Sequence, residues 1–422
     1  MQGNRLKILF VSPYLPHSNV GSGGGLIVYN EIRLLAKRHT VCLLCFQSQN
    51  EAQFLPHISA LCAQVKTVKY LRIYGATAAE KLLLVLDRGT RWLASFFGSV
   101  PYYMRKYWSR EFAEQLENWT TTEDFDIVQI EFTQMAQYGR YAKGKRVILL
   151  EHDVSFVPRF RMYWKESSIF KKLYRRTEWL KFLRYEIGVC GSHRDDRPGH
   201  PRVFDQIFTL SENDRQTLQA FSPDLNVSAI GTGVDLEKIQ PINMEQENDS
   251  ICFMGSFGHR PNVDAMIYLR DKIYPIIKSQ KSNIRIHVIG KNPEFLPKLP
   301  DDFVIEGFQE DVAPVLAKCQ VFVAPITWGG GIKVKILHAM AMGLPVVTTP
   351  VGAEGLEVEH GVHLYIDSQP DAFAQHVLEL LDNPGLRQKI GQAGLARVRE
   401  RYGWESIIEH MEQLYCSILS NT

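Results

Sequence analysis

No apolar run in this chain of 422 residues approaches the roughly 20 residues that a membrane-spanning helix needs. The N-terminal stretch MQGNRLKILFVSPYLP is too short in apolar residues for a signal peptide and meets Pro13 at once. Charge of one sign is also scarce. The 48 Lys and Arg against 46 Asp and Glu leave a net +2, which argues against a nucleic-acid-binding protein. Cysteines are few, and their number, seven, is odd. Cys42 and Cys45 form a C-x-x-C inside VCLLCF, a predicted strand in which positions three apart point to opposite faces. That argues against a redox pair or a metal clip and predicts reduced thiols in a cytoplasmic protein. The N-x-S/T triplets at Asn118, Asn226 and Asn248 then carry no glycan. The first glycine-rich turn is not G-x-G-x-x-G, and no carboxylate follows the second strand, so a dinucleotide site is poorly supported.

What is present is a soluble globular composition, 45% apolar and 22% charged, long enough for two ordinary domains. The pattern alternates strand and helix. Leu6–Val11 reads as a strand, Ser12–Gly25 as a loop ending in Gly23, Gly24 and Gly25, and Leu26–Ala36 as a helix. Thr40–Phe46 is the next strand. Strands follow at Asp126–Ile130, Arg146–Leu150, Phe204–Leu210 and Val227–Ile230. His152 stands just past one of them, at the carboxyl edge where open α/β sheets bind ligands. A histidine capping a strand end is the plainer alternative. Leu236–Asp249 is polar and proline-bearing, the linker candidate. The pattern then restarts. Ser250–Met254, Asn283–Gly290 and Asp302–Ile305 are strands, with helices at Val263–Ser279 and Asp311–Lys318. This gives two Rossmann-like domains, 1–243 and 250–402, and a final amphipathic helix in 403–422.

The most informative stretch is Ala324–Leu356, APITWGGGIKVKILHAMAMGLPVVTTPVGAEGL. A short strand leads into Gly329, Gly330 and Gly331, a helix opens at Ile332, and a second strand follows Pro345. Glycines let backbone N–H groups approach a ligand, and a helix start adds unpaired donors and partial positive charge. Together they make an anion site suited to a phosphate or diphosphate. Lys333 and Lys335 fall in the first turn, where cations oppose the helix dipole unless an anion is bound. Lys335 and His338, three apart, share a face. His259 and Arg260, in the loop after the first strand of this domain, are within reach of the same diphosphate. A glycine-rich turn before an ordinary helix with solvated lysines is the plainer alternative.

GGGIKVKILHAMAMGLPVV resembles the donor-site signature of the retaining, nucleotide-sugar glycosyltransferases with the GT-B fold (group 1, family 4-like), Gly-Gly-Gly-x-Arg/Lys-x-Lys followed by Leu-Glu-Ala-Met-Ala-x-Gly-x-Pro-Val-Val. The resemblance extends over most of the chain, strongest at Ile251–Leu356 and weakest at Leu71–Thr120. It implies an α/β GT-B architecture, two Rossmann-like domains facing a cleft, with the C-terminal helix crossing back. It also implies transfer of a hexose from a nucleotide diphosphate sugar to an acceptor hydroxyl with retention, in polysaccharide or glycoconjugate synthesis, with no metal or other cofactor. Carried over by position, the catalytic candidates are His152, Lys333 and Lys335. The donor-binding candidates are Gly23, Gly24, Gly25, Arg260, Phe308 (in GFQED, Gly307–Asp311), Gly330, Gly331, Ile332, His338 and Glu354. Three positions depart from the pattern. His338 replaces a glutamate that binds the ribose hydroxyls, the family's other glutamate, eight positions earlier, falls on Gly330, as in relatives that share the triple glycine, and Thr232 replaces the asparagine of an Asn-Gly-Val-Asp turn. An imidazole at 338 predicts donor affinity that varies between about pH 6 and 8. Two other readings stay open: a non-catalytic GT-B-fold binding or partner protein, and a sugar-nucleotide epimerase, for which no acid/base carboxylate is marked.

Two stretches combine aromatics with basic residues, Arg91–Trp108 and Arg159–Glu186, the second predicted helical. Such surfaces suit an anionic bilayer or an acidic acceptor, as well as an ordinary amphipathic helix. The expected partners are thus a nucleotide sugar, a sugar, lipid-linked or glycoconjugate acceptor, and an anionic membrane surface on the cytoplasmic side. His193, Asp195, Asp196 and His200 lie in a polar proline-bearing loop that reads as an exposed connector rather than a metal site.

Overall fold

The computed structural model describes residues 5–18, 23–70, 78–193 and 202–420. The expected connector residues Asp195, Asp196 and His200 lie outside them. The chain divides into two compact units. One holds the N-terminal strand, residues 24–231 and the last helix from Ile408. The other holds Gly23 and residues 232–407. The division therefore follows Gly231, ahead of the residue-243 boundary read from the sequence, and falls inside the last helix rather than at residue 403. The reason is local. Val234 N donates to Tyr402 O at 2.7 Å and bridges Gly403. Its side chain lies in the second unit's core.

The first unit carries a seven-stranded sheet: β1 (Lys7–Ser12), β2 (Thr40–Gln47), β3 (Gln64–Lys69), β4 (Ile127–Glu131), β5 (Arg146–Glu151), β6 (Gln206–Thr209) and β7 (Val227–Ala229). Their order is β3-β2-β1-β4-β5-β6-β7, with every pair parallel. The second unit repeats the scheme with β8 (Ser250–Met254), β9 (Arg285–Ile289), β10 (Phe303–Gly307), β11 (Val321–Ala324), β12 (Val346–Thr348) and β13 (Tyr365–Ile366), in the order β10-β9-β8-β11-β12-β13. Parallel strands buried on both faces read as near-continuous apolar runs, as VCLLCF and RVILLE do. β3, QVKTVK, sits at an edge, is mostly half-buried, and carries only two apolar residues, Val65 and Val68. In both sheets the order reverses beside the first strand. The carboxyl ends of β1 and β4, and of β8 and β11, are therefore the places where such sheets take ligands.

Seven helices matter below: α1 (Gly23–Leu35), α2 (Ala78–Phe97), α3 (Phe156–Lys165), α4 (Ile169–Cys190), α5 (Arg260–Tyr268), α6 (Val334–Ala341) and α7 (Trp404–Ser420). Gly23, Gly24 and Gly25, expected in a loop, form the first turn of α1. The stretch read as one basic helix is two. The chain breaks at Glu166–Ser168, where Glu166 accepts from Ser168 N (3.2 Å) and pairs with Arg175 (2.9 Å). The helix expected at Val263–Ser279 passes from α5 through a π-helical turn, Leu269–Ile273, into a helix at Tyr274–Gln280. Pro275 there has no N–H for the helical ladder, which accounts for the irregular turn before it. The end of α7 is built into the first unit. Glu412 pairs with Arg38 (2.7 Å) and His39 (3.0 Å), Tyr415 donates to Gln129, and Ile418 O accepts from Arg146 (2.8 Å). All seven cysteines are free, and Cys42 and Cys45 are buried with their thiols pushed up by burial.

Candidate active site

In the second unit the carboxyl end of β8 runs into Gly255–His259, and that of β11 into the triple glycine. α6 begins at Val334, two residues later than its sequence pattern suggests, so Lys333 precedes the first turn and Lys335 lies within it. Gly331 takes φ 63°, a left-handed conformation that favours glycine. This turns its carbonyl to accept from the buried Lys333 Nζ at 2.6 Å. Lys335 Nζ crosses from the β11 side to the β8 side, where it donates to Asn262 Oδ1 at 2.5 Å and lies 4.8 Å from the Phe253 ring. Asn262 in turn donates to Ser256 O (2.7 Å). Gly255 makes room for this crossing. A Cβ there would stand 2.9 Å from Lys335 Nζ and 2.8 Å from the Asn262 amide. Gly255 itself presses on Gly290, where φ is +147° and a Cβ would overlap Gly255 O.

The electrostatics follow from this crowding. Lys335 is pushed down to about 7, by burial first and by the Lys333 ammonium second. His259 is pushed down by burial and then by the same two lysines, although its exposed position lets solvent soften the effect. His338 is pushed down to about 4 by burial, with the Asp235 carboxylate opposing. Its ring is therefore neutral from pH 6 to 8. The titration in that window, expected of His338, belongs to Lys335 instead. A cluster of desolvated cations that suppress one another's charge is a site poised for an anion, which would restore them.

The other donor-site candidates are spread around this centre. Arg260 opens α5 and is held outward by Asp264 (2.8 Å), whose second oxygen accepts from the Trp328 indole (2.9 Å). Phe308 follows Gly307 at the end of β10, half exposed, with the Lys291 ammonium 4.2 Å from its ring. Gly330 and Ile332 are half-buried in the loop before α6. Glu354 caps the short helix Pro350–Ala353. Thr232 is fully buried, and its hydroxyl has no partner among the described residues. Asn262, Gly255, Asp264 and Trp328 were not legible as site residues. Asn262, Gly255 and Asp264 come from a segment distant in sequence from the triple glycine, and Trp328, though beside it, carries no motif by itself.

In the first unit the structure gathers a second group at the carboxyl ends of β1, β4 and β5. Phe132 follows β4 at φ 70°, ψ 148°, a region costly for a residue with a side chain. Its ring stacks on His152, with centroids 3.6 Å apart and planes at 11°. Gly24 lies against both, since a Cβ there would meet the Phe132 ring at 2.8 Å and His152 Nδ1 at 3.3 Å. His152 Nε2 is 2.7 Å from Glu131 Oε2, and both residues are buried. Glu131 also accepts from Gln129 (2.7 Å). With Nε2 donating to the Glu131 carboxyl group, Nδ1 is left as an acceptor directed at the start of α1. Nδ1 is buried and has no partner among the described residues. Sequence reasoning found Gly24 and His152 but neither Phe132 nor Glu131.

Residues 248–383 match the family model described as glycosyl transferases group 1. A Corynebacterium glutamicum protein named GDP-mannose-dependent monoacylated alpha-(1-6)-phosphatidylinositol monomannoside mannosyltransferase is 29% identical over 227 residues. That alignment covers 47% of this chain and 58% of the relative, so the chain spans a little over half its length. Sucrose-phosphate synthase from Thermosynechococcus elongatus has a similar structure, with TM-score 0.71 and 16% identity over 99% of this chain and 100% of that one. Anabaena HepE, solved with UDP and glucose, gives TM-score 0.68 and 13% identity over 98% and 100%. Residues 248–383 carry the match to the group 1 glycosyl transferases, and the fold of the chain is GT-B.

Proposed function

We propose that this glycosyltransferase moves a hexose from a nucleoside diphosphate sugar to an acceptor hydroxyl with retention at the anomeric carbon, in the building of a polysaccharide or glycoconjugate. The observation that carries the reading is Lys335, an ammonium suppressed to about 7 beside Lys333 at the start of α6. Breaking the bond from the anomeric carbon to the phosphate oxygen leaves negative charge on the diphosphate, and preorganised donors aimed at that charge contribute most to rate. Lys335, Lys333 and the backbone at Gly331 take this role, so the reading calls for no metal or other cofactor. The acceptor oxygen forms its bond to the anomeric carbon on the face the phosphate leaves, and the acceptor proton passes to the departing phosphate oxygen. His152, its Nδ1 held as an acceptor, takes a donor-sugar hydroxyl. Phe308 provides a face for the base, and His338 a single acceptor for a ribose hydroxyl. HepE has been solved with UDP, which makes a uridine nucleotide the first donor to try. We place the protein in the cytoplasm, at the inner face of a membrane.

Thermal-shift and calorimetric titrations with UDP-glucose, GDP-mannose and their diphosphates test the site. Stabilisation by at least one of them, lost in Lys335→Ala, is expected. Equal stabilisation of both proteins places the diphosphate elsewhere.

A further inference from the structure

From the surface of the first unit we infer that the outer faces of α2, α3 and α4 dock on an anionic lipid bilayer. Aromatic side chains are normally spent on the core, yet here Phe97 is 83% exposed, Phe170 82% and Trp164 69%. They are not scattered. Leu93, Phe96 and Phe97 share one face of α2, and Phe170, Leu173 and Tyr174 share one face of α4, each set at the three- and four-residue spacing of a helical stripe. Lys181 Nζ donates to Ser95 O at 2.7 Å, which ties the end of α2 to the middle of α4. An exposed apolar surface of this kind marks a place where something else supplies the low-dielectric side.

Charge selects the occupant. Between Phe156 and Cys190 the sequence has nine Lys and Arg against three Glu, in a chain whose total net charge is +2. One of the three, Glu186, is buried. Two copies of this face would set like charges against each other. A soluble anion would satisfy the lysines but give Phe97 and Phe170 nothing to enter. A bilayer with anionic headgroups satisfies both, with aromatic rings among the acyl chains and ammonium groups at the phosphates. Lys172 already has that arrangement, its Nζ 5.6 Å from the Tyr163 ring and 5.8 Å from that of Trp164. Among the described residues no helix is long and apolar enough to cross a membrane, so the contact is one of lying on the surface. α3 starts four residues after His152, so the docked face and the first unit's candidate site share one stretch of chain.

The inference rests on this surface and not on the transfer reading, so it is tested without donor or acceptor. The full chain is sedimented with vesicles of phosphatidylcholine alone and of mixed phosphatidylcholine and phosphatidylglycerol. It is expected to pellet with the mixed vesicles at low salt and to be partly released by salt. Phe97→Glu and Phe170→Glu, both at exposed positions, are each expected to weaken binding about tenfold or more with unchanged thermal unfolding. In the unaltered sequence, brominated acyl chains are expected to quench tryptophan fluorescence, and Trp164→Phe to reduce that quenching, with Trp92 of α2, stacked on Phe96, supplying the remainder. Failure to pellet with mixed vesicles overturns the inference, as does binding that survives both Glu variants. A concentration-dependent dimer that the same variants dissociate also overturns it, by assigning the face to a second copy.

Discussion

Replacing Lys335 by alanine removes a charged donor from the crossing between the β8 and β11 ends, and its effect on nucleotide-sugar binding should depend on pH. A hydrogen bond from a charged group is worth about 1.5–3 kcal/mol, so Lys335→Ala should weaken binding about 10- to 150-fold at pH 7 or below. In the free protein Lys335 titrates at about 7. A diphosphate beside it favours the ammonium and raises that value in the complex, so above pH 7 binding takes up a proton. Affinity should therefore be full below pH 7 and fall by up to about tenfold per pH unit above it, until the raised value of the complex is reached. The other groups facing Lys335 do not obscure this window. His259 is pushed down, His338 titrates at about 4, and Asn262 does not titrate. Titration calorimetry with an intact nucleotide sugar between pH 6 and 9 is the assay, since its diphosphate does not change charge there. The slope should vanish in Lys335→Ala. An affinity flat across this range in the unaltered protein, or a slope that persists in the variant, refutes the reasoning.

Glu131→Gln should leave the fold intact but release the His152 tautomer, lowering turnover of a nucleotide sugar more than its binding; equal loss in both would point to a structural role only. Gly255→Ala should weaken nucleotide-sugar binding but by less than Lys335→Ala, because its methyl would stand 2.9 Å from Lys335 Nζ and 2.8 Å from the Asn262 amide, two side-chain ends that can shift without being lost; unaltered affinity in calorimetry would show that Lys335 need not cross there. Glu151, fully buried, is raised to about 8, mainly by burial. Its stabilising contribution is complete below the ordinary carboxylate value and is lost as pH rises toward 8. Thermal unfolding of the unaltered protein should therefore shift down between pH 5 and 8 by more than that of Glu151→Gln, and parallel curves would disprove the assignment.

The strands were legible wherever both faces are buried, because a parallel strand then has no polar side to interrupt its apolar run. β3 was not, since a mostly half-buried edge strand resembles a loop with scattered valines. The lysines and glycines of the β11–α6 turn were legible because they lie together in sequence. Their partners were not. Asn262 and Gly255 meet Lys335 only because β8 and β11 are sheet neighbours, a fact of topology rather than of local pattern. The same holds for Glu131 and His152, brought together by the pairing of β4 and β5. At His338 the sequence gives the ring an ordinary titration. Burial in the folded unit takes that away.

The central claim is that the diphosphate held at Lys335 leaves its sugar. Incubating the protein with radiolabelled UDP-glucose or GDP-mannose and separating the products tests it most directly. The account predicts slow release of free nucleoside diphosphate, abolished in Lys335→Ala. An altered sugar still joined to the intact nucleotide, or tight binding with no release, would contradict it.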